Sequence, residues 1–426
     1  MISAGAGTGP NRLATVSWVL YDLANTIFAL GVVGLYFSDW LVSEGHPDSF
    51  LAGVQVAAAA VVIFLAPWAG ARSDVQGRRV PTLMATTVLA VAATASLVAG
   101  PVWLTLLMLW LAVVAVNTGS VVYDALLVDV STPRTRGRIS GIGVGVGYVG
   151  SFVGLGLGLL ALDVAGWGFA GAFRLIAAAF LVFAIPSFLF ITERPGVAGE
   201  PLPTVRGIAT RLAGSWRTAS RYRGVVRFLV GRFLYTDAIN TLIGGFLAIF
   251  VIDELGLDRG FFTALMAVAI TSAIFGGIAA GPFIERFGPM RVLRIVLVAW
   301  MLAMAAGVAA AVTGQTGIAW VIGPVGGLAL GATWASDRVV MVRISPPRHL
   351  GEFYGLYATV GRFATIAGPL VWALIVDAAG LSRSVAMGAL IVFIAVGWFV
   401  LGDVDDHERE WHSEDLLVSG ESPSPM

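Results

Sequence analysis

The sequence predicts an all-α integral membrane protein, with twelve transmembrane helices in two six-helix halves related by a parallel repeat. Three observations carry that expectation. Hydrophobic residues make up 58% of the 426-residue chain and charged residues 12%, at a mean hydropathy of +0.87; soluble domains carry about 25% charge. Apolar runs of the roughly 20 residues that a bilayer crossing needs recur along the whole length. A D-x-x-N-T motif appears twice, at Asp22 to Thr26 and Asp237 to Thr241, about 214 residues apart.

Twelve apolar segments fall at about 14–42, 50–71, 80–100, 102–130, 138–162, 170–191, 225–254, 260–284, 290–312, 316–343, 350–378 and 382–402, numbered here as spans one to twelve. Span one follows Arg12, contains Asp22 and lacks a small-residue cleavage site, so it reads as a retained helix and not a signal peptide. Between spans six and seven lies the one long polar interruption. Its Arg194, Arg206, Arg211, Arg217, Arg221 and Arg223, with Trp216, are spaced as in an amphipathic helix lying at a membrane surface. The expected organisation is therefore an N-terminal half at 1–191, a cytoplasmic basic linker at 192–224, a C-terminal half at 225–402 and a disordered cytoplasmic tail at 403–426.

Orientation follows from arginine, which supplies every one of the 26 basic residues. With the N-terminus inside, Arg12, Arg72, Arg78, Arg79, Arg134, Arg136, Arg138, the linker group, Arg227, Arg286, Arg291, Arg294, Arg343, Arg348 and Arg409 collect at one face, and Arg174, Arg259 and Arg383 at the other. The positive-inside rule then places both termini in the cytoplasm. Short loops, no processing signal and arginine-only basicity favour the inner membrane of a prokaryotic cell. The zero formal net charge is a sum over opposite faces and argues for no nucleic-acid partner. Absence of cysteine excludes disulfides, thiolate metal sites and cysteine nucleophiles, and absence of lysine excludes Schiff-base chemistry.

The repeat extends beyond the first motif. Gly70-x-x-x-Asp74-x-x-Gly77-Arg78-Arg79 after span two is echoed by Gly281-x-x-x-Glu285-Arg286-x-Gly288 after span eight. Pro133, Gly137 and Gly141 match Pro347, Gly351 and Gly355, which sets Asp129 opposite Arg343 and Arg138 opposite Glu352. An even number of spans separates the copies, so they share one orientation, as in carriers with a central cavity.

These motifs resemble the major facilitator superfamily over nearly the whole chain, with Val75 at a position where the superfamily pattern has arginine. S-W-V-L-Y-D-L-A-N-T at 17–26, Y-D-A-L-L-V-D with R-G-R-I-S-G and G-Y-V-G across 123–150, R-F-L-Y-T-D-A-I-N-T at 232–241 and G-R-F-A-T-I-A-G-P-L at 361–370 resemble its vacuole-effluxer-like branch, which includes autophagy-related permeases of fungi. Asp124 and Arg362 stand where that branch commonly has asparagine and lysine. The resemblance implies the major facilitator fold and transport, with amino acids as the substrate class.

An ionised group at mid-bilayer costs about 2.5–3.5 kcal/mol, so one retained there needs a partner or a task. Asp237 lies about 18 Å along its helix from Val225, close to mid-membrane, and Asp22 is its repeat mate. Arg362 on span eleven has the same depth, opposite Tyr148 on span five. Asp22, Asn25, Tyr148, Asp237, Asn240 and Arg362 are thus the expected substrate and proton site, facing a cavity between the halves on spans one, five, seven and eleven. Static ion pairing is the alternative. Arg232, within snorkelling reach of the surface, reads as structural. Asp74, Arg78, Arg79, Asp129, Arg138, Glu285, Arg286, Arg343 and Glu352 are the expected cytoplasmic gate, forming ion pairs and helix-end contacts when the carrier opens outward.

Two motifs are declined. Gly145-x-Gly147-x-x-Gly150 follows no strand, and its glycines suit close helix packing better than a dinucleotide. His407, Glu408 and His412 have the wrong histidine spacing for zinc on one helical face. No cofactor, no metal and no enzyme activity is expected; the expected partners are a small solute, protons and the bilayer, with the chain a monomer. An uncoupled uniporter and a transport-silent receptor or scaffold retaining the carrier fold are the alternatives.

Overall fold

A computed structural model describes residues 11–45, 49–193, 208–407 and 411. The structure is helical, with no strand among the described residues. Among the described residues, ten helices are long and apolar enough to cross a membrane: Arg12–Leu41, Gly53–Gln76, Val102–Ala125, Arg136–Val164, Gly168–Phe190, Gly260–Phe287, Pro289–Thr313, Thr316–Ile344, Pro347–Val376 and Arg383–Asp403. Spans three and seven correspond to helices Arg79–Ala95 and Val225–Thr241 of 17 residues each. The first is apolar but short, ending in turns before Gly100 and Pro101. The second carries Arg227, Arg232 and Asp237 and runs on through Leu242–Phe246, Leu247–Ile249 and Phe250–Glu254.

Wide turns closed by i to i+5 hydrogen bonds occur in spans one, five, seven, ten and eleven, at Ala29–Tyr36, Leu160–Val164, Leu242–Phe246, Phe250–Glu254, Ile322–Gly326 and Leu374–Ala378. Such turns concentrate at functional helices. Span eleven is also broken. Helix Leu350–Phe363 stops, and a new helix starts at Ala367 and holds Pro369 in its first turn. Proline has no N–H to give, and a first-turn N–H has no partner four residues back, so a break just before Pro369 puts it where a helix tolerates it.

The first six and last six spans meet along two seams, span two against eleven and span five against eight. Glycine makes both seams possible. A side chain on Gly70 would sit 2.0 Å from the Gly351 carbonyl oxygen, and one on Gly141 would sit 2.4 Å from that of Gly277. Hydrogen bonds also join the halves, from Ser140 Oγ on span five to the Ala335 carbonyl on span ten at 2.8 Å and, deeper along the two–eleven seam, from Thr359 Oγ1 to the Ile63 carbonyl at 3.2 Å. The linker helix Ile208–Arg221 buries Ser215 and Ala219 and leaves Trp216 exposed. Behind it, the Tyr222 ring stacks edge-on against Phe353 and Trp411, at centroid distances of 5.6 and 6.0 Å, which ties the linker and the chain after span twelve to the start of span eleven. Arg194, Arg206, Arg409, Glu408 and His412, as well as most of the tail, lie outside the described residues.

Candidate functional site

A cavity of about 150 Å³ lies between spans one, five and ten, lined by Asp22, Thr26, Val144, Gly147, Tyr148, Trp334 and Arg338. Asp22 and Tyr148 were expected there; the arginine was not. Arg338, on span ten, donates to Asp22 from Nη1 at 2.9 Å and Nη2 at 3.3 Å, a fork matched to a carboxylate. Its Nε lies 3.1 Å from Asp124 on span four. All three side chains are 10–15% exposed. The rings of Trp18 and Tyr123, stacked at 4.7 Å, flank the guanidinium at 5.8 and 5.6 Å. Trp18 Nε1 also donates to the Tyr123 carbonyl at 3.0 Å and the Tyr123 hydroxyl to the Trp18 carbonyl at 3.1 Å, so the platform beneath Arg338 is locked by reciprocal bonds.

Beside this triad, Asp337 anchors the second half. Arg232 Nε donates to its Oδ2 at 3.1 Å and the Tyr235 hydroxyl to the same oxygen at 3.0 Å, while the Tyr357 hydroxyl bonds Oδ1. Arg232 also donates to the Tyr357 carbonyl at 3.0 Å and stands 3.5 Å over that ring. Arg232 therefore does not snorkel; it is buried, 6% exposed, against a fully buried carboxylate. Adjacent residues of span ten thus point opposite ways, Asp337 into spans seven and eleven and Arg338 into spans one and four.

The other expected site residues go elsewhere. Asp237 is fully buried and does not line the cavity. Its carboxylate lacks an aligned hydrogen bond and faces the backbone N–H groups of Ile366, Ala367 and Gly368, where span eleven restarts. Asn240 Nδ2 donates to the Ala364 carbonyl at 3.0 Å, at the same break. These two polar groups of span seven are directed to the backbone at the break in span eleven. Arg362 has no ion-pair or side-chain hydrogen-bond partner among the described residues, and Asn25 Oδ1 is buried without one. The arginine that meets the buried acids is Arg338, and the helices around the cavity are one, five and ten instead of one, five, seven and eleven. One sequence signal pointed to it: the repeat offset that sets Asp129 opposite Arg343 also sets Asp124 opposite Arg338.

At the end where span one begins and span twelve finishes, buried Arg79 joins Asp74 at 2.9 Å and Asp129 at 3.0 Å. Asp74 Oδ2 then crosses the seam to accept the Glu352 N–H at 2.9 Å, in the first turn of helix Leu350–Phe363. In the other copy, Glu285 accepts the Arg138 N–H at 2.9 Å, in the first turn of span five, and its other oxygen lies 3.2 Å from the Arg138 guanidinium. Each carboxylate satisfies an orphan helix-start donor and sits at the positive end of that helix. A second matched pair caps within each half. Glu193 accepts the Val80 N–H at 2.5 Å, and Asp406 accepts the Met290 N–H at 2.9 Å. Partial burial outweighs the Val80 and Arg79 N–H groups that face it and pushes the Glu193 carboxyl above the usual range. Glu352 pairs with His349 at 3.0 Å. Arg343 reaches Asp406 at 3.9 Å, away from the seam. Arg78 is exposed with no acidic partner among the described residues, and exposed Arg286 rests 5.2 Å from the Phe287 ring. Of the residues expected at the gate, Asp74, Glu352, Arg138 and Glu285 therefore join the halves, with Arg79 and Asp129 behind; Arg78, Arg286 and Arg343 make no contact across the seam among the described residues.

Among the described residues, His, Asp and Glu ligand atoms gather only at Asp405, Asp406 and His407, an open cluster already engaged as a cap and a local Asp405–His407 pair.

A model of the family "Vacuole effluxer Atg22 like" matches residues 128–411. The MFS-type transporter YxiO of Bacillus subtilis is 26% identical over 410 residues, covering 92% of this chain and 94% of that protein. Autophagy-related protein 22-1 of Penicillium rubens is 25% identical over 302 residues, covering 65% of this chain and 51% of the relative, so the match spans about half the length of that fungal protein. Among solved structures, the human organic anion transporter MFSD10 superposes with a TM-score of 0.71 at 18% identity, covering 91% of this chain and 98% of that one. The proton:xylose symporter XylE superposes at 0.69 and 14% identity, covering 93% and 95%. At those identities the likeness is one of fold. The chain is a multi-pass membrane transporter of the major facilitator superfamily and belongs to the vacuole effluxer Atg22-like family.

Proposed function

We propose that the chain is a secondary carrier that moves a small polar solute, with amino acids as the leading candidates, by alternating access coupled to protons. One observation carries the reading: a buried arginine from the second half is shared by two carboxylates of the first half beside a small cavity, with the end where span one begins closed. An ion triad of this kind spans the surface along which the halves must separate, so rocking the halves changes its pairing and its proton affinity. The family supports transport. In this reading the halves 1–191 and 225–402 move as units about the linker 192–224. The basic end, including the tail 403–426, faces the cytoplasm of a cell whose inner membrane holds the chain as a monomer.

Purified protein in liposomes, screened with an amino-acid and sugar panel with and without a pH gradient, tests it. The expected result is saturable uptake of an amino acid that increases with the gradient and is lost in Arg338→Ala. Correctly folded protein that moves none of the panel under either condition would count against a carrier.

A further inference from the structure

The charge around the cavity does not sum to zero. Asp22, Asp124 and Asp337 bring three carboxylates, and Arg338 and Arg232 bring two guanidinium groups. Asp237 and Arg362 add one charge of each sign at similar depth. Arg232 and Asp337 form a closed pair whose carboxylate also holds two tyrosine hydroxyls, so the surplus negative charge belongs to the two acids that share Arg338. Those acids are held unequally. Asp22 takes both Nη groups and lines the cavity. Asp124 stands outside the lining beside Nε, and its Oδ1 is buried without an aligned hydrogen bond.

We propose that the cavity takes a small solute bearing an ammonium centre, and that this centre and a proton occupy the site in alternation. The proposal deepens the carrier reading above and rests on it. On solute entry Asp22 turns its carboxylate to the ammonium, and Arg338 stays paired through Asp124, so no guanidinium is left alone in the membrane. Trp334 and Tyr148 line the other walls with aromatic rings, a residue type that attracts a cation. Without solute, a proton on one of the two carboxyls removes the surplus charge. That O–H bond breaks as the ammonium arrives, and the proton passes to the water at the open side, so one positive charge replaces another. A carboxylate solute would have to displace Asp22 from Arg338 and add a second negative charge to the surplus. The other charged or titratable groups near Asp124 are Asp337 on span ten, Arg232 on span seven, Tyr354 and Tyr357 on span eleven and Tyr123 on its own helix. Of these, Asp337 is the one carboxylate, and it is held in a closed pair with Arg232, which leaves the two acids on Arg338 to carry the exchangeable proton.

Ethylammonium, β-alanine and propionate are small probes that separate the charge types. Their binding to the full chain in detergent is read by tryptophan fluorescence, with proton release followed in weak buffer. The expected result is ethylammonium and β-alanine binding, with ethylammonium at least about tenfold tighter than propionate. Its affinity should weaken by about tenfold per pH unit in the acid range, with a proton released on binding. Asp124→Asn should abolish both the release and the pH dependence, since Asp22 and Arg338 then form a neutral pair. Propionate binding as tightly as ethylammonium, no ethylammonium binding, or proton release retained in folded Asp124→Asn each overturns the proposal. The probe preference of the unmodified chain decides it even if the variant does not fold. Ethylammonium binding without flux in liposomes breaks the carrier reading and leaves the charge assignment standing, whereas flux of propionate in preference does the reverse.

Discussion

Arg338 concentrates the energetics of the site in one side chain. Deleting it would leave two carboxylates 10–14% exposed with no cation between them, and breaking a buried pair from one side costs about 3–5 kcal/mol. Arg338→Ala is therefore expected to lower the unfolding midpoint strongly. Adding Asp22→Asn and Asp124→Asn to it should restore most of the loss, because the stranded charges are then gone. A single variant as stable as the parent, measured by thermal unfolding in detergent, would mean that water reaches the triad freely. The contact between Asp124 and Arg338 also locates the site. They are repeat mates, and side chains at positions related by a two-fold axis can touch only near that axis. The repeat offset contained this pair, as it does Asp129 with Arg343, but did not single it out among the arginines, since an intramembrane charge reveals its partner only once the helices are packed. Asp237 shows the converse. Its motif is a close copy of that at Asp22, yet the break before Pro369 in span eleven turns it to a backbone task that no repeat argument foresees.

At the scale of the helix, the closed end is made by carboxylates that cap the starts of other helices, and by glycines that let those helices approach. Asp74 and Glu285 cap across the seams; Glu193 and Asp406 cap within each half. The spans themselves were legible because apolar length is a strong signal, and Asp74, Glu285, Arg138 and Glu352 were legible because the repeat set them at matched loops. Glu193 and Asp406 were not, because a cap at a helix start depends on where a distant chain segment arrives. The glycine contact makes its own prediction. A methyl group at Gly70 would stand 2.0 Å from backbone oxygen, and backbone cannot rotate away as a side chain can. Gly70→Ala is expected to part spans two and eleven and increase labelling of a cysteine placed at Thr359, while changing the unfolding midpoint less than Arg338→Ala. Unchanged labelling would show that the seam yields locally without opening.

For the whole molecule the question is whether the two seams open together. Span two against eleven and span five against eight are separate surfaces, each held by one cross-seam carboxylate. If the halves rock as rigid bodies, weakening either seam must shift a single equilibrium, and both surfaces must become accessible in step. A hydrogen bond to a charged group contributes about 1.5–3 kcal/mol, so Glu285→Gln should raise the open population by about ten- to a hundredfold from a small starting value. The chain has no cysteine among its residues, so single replacements at Ser140 and Thr359, buried at the two seams, report each surface without background. Glu285→Gln lies on the five–eight seam, yet it should accelerate labelling at Thr359, on the two–eleven seam, as much as at Ser140. Asp74→Asn, which also releases Arg79, should do the same from the other side, and the double variant should multiply the two effects until the open form saturates. Faster labelling confined to the seam that carries the substitution would mean that the halves do not move as units, and alternating access by rocking would have to give way to separate gating of each seam.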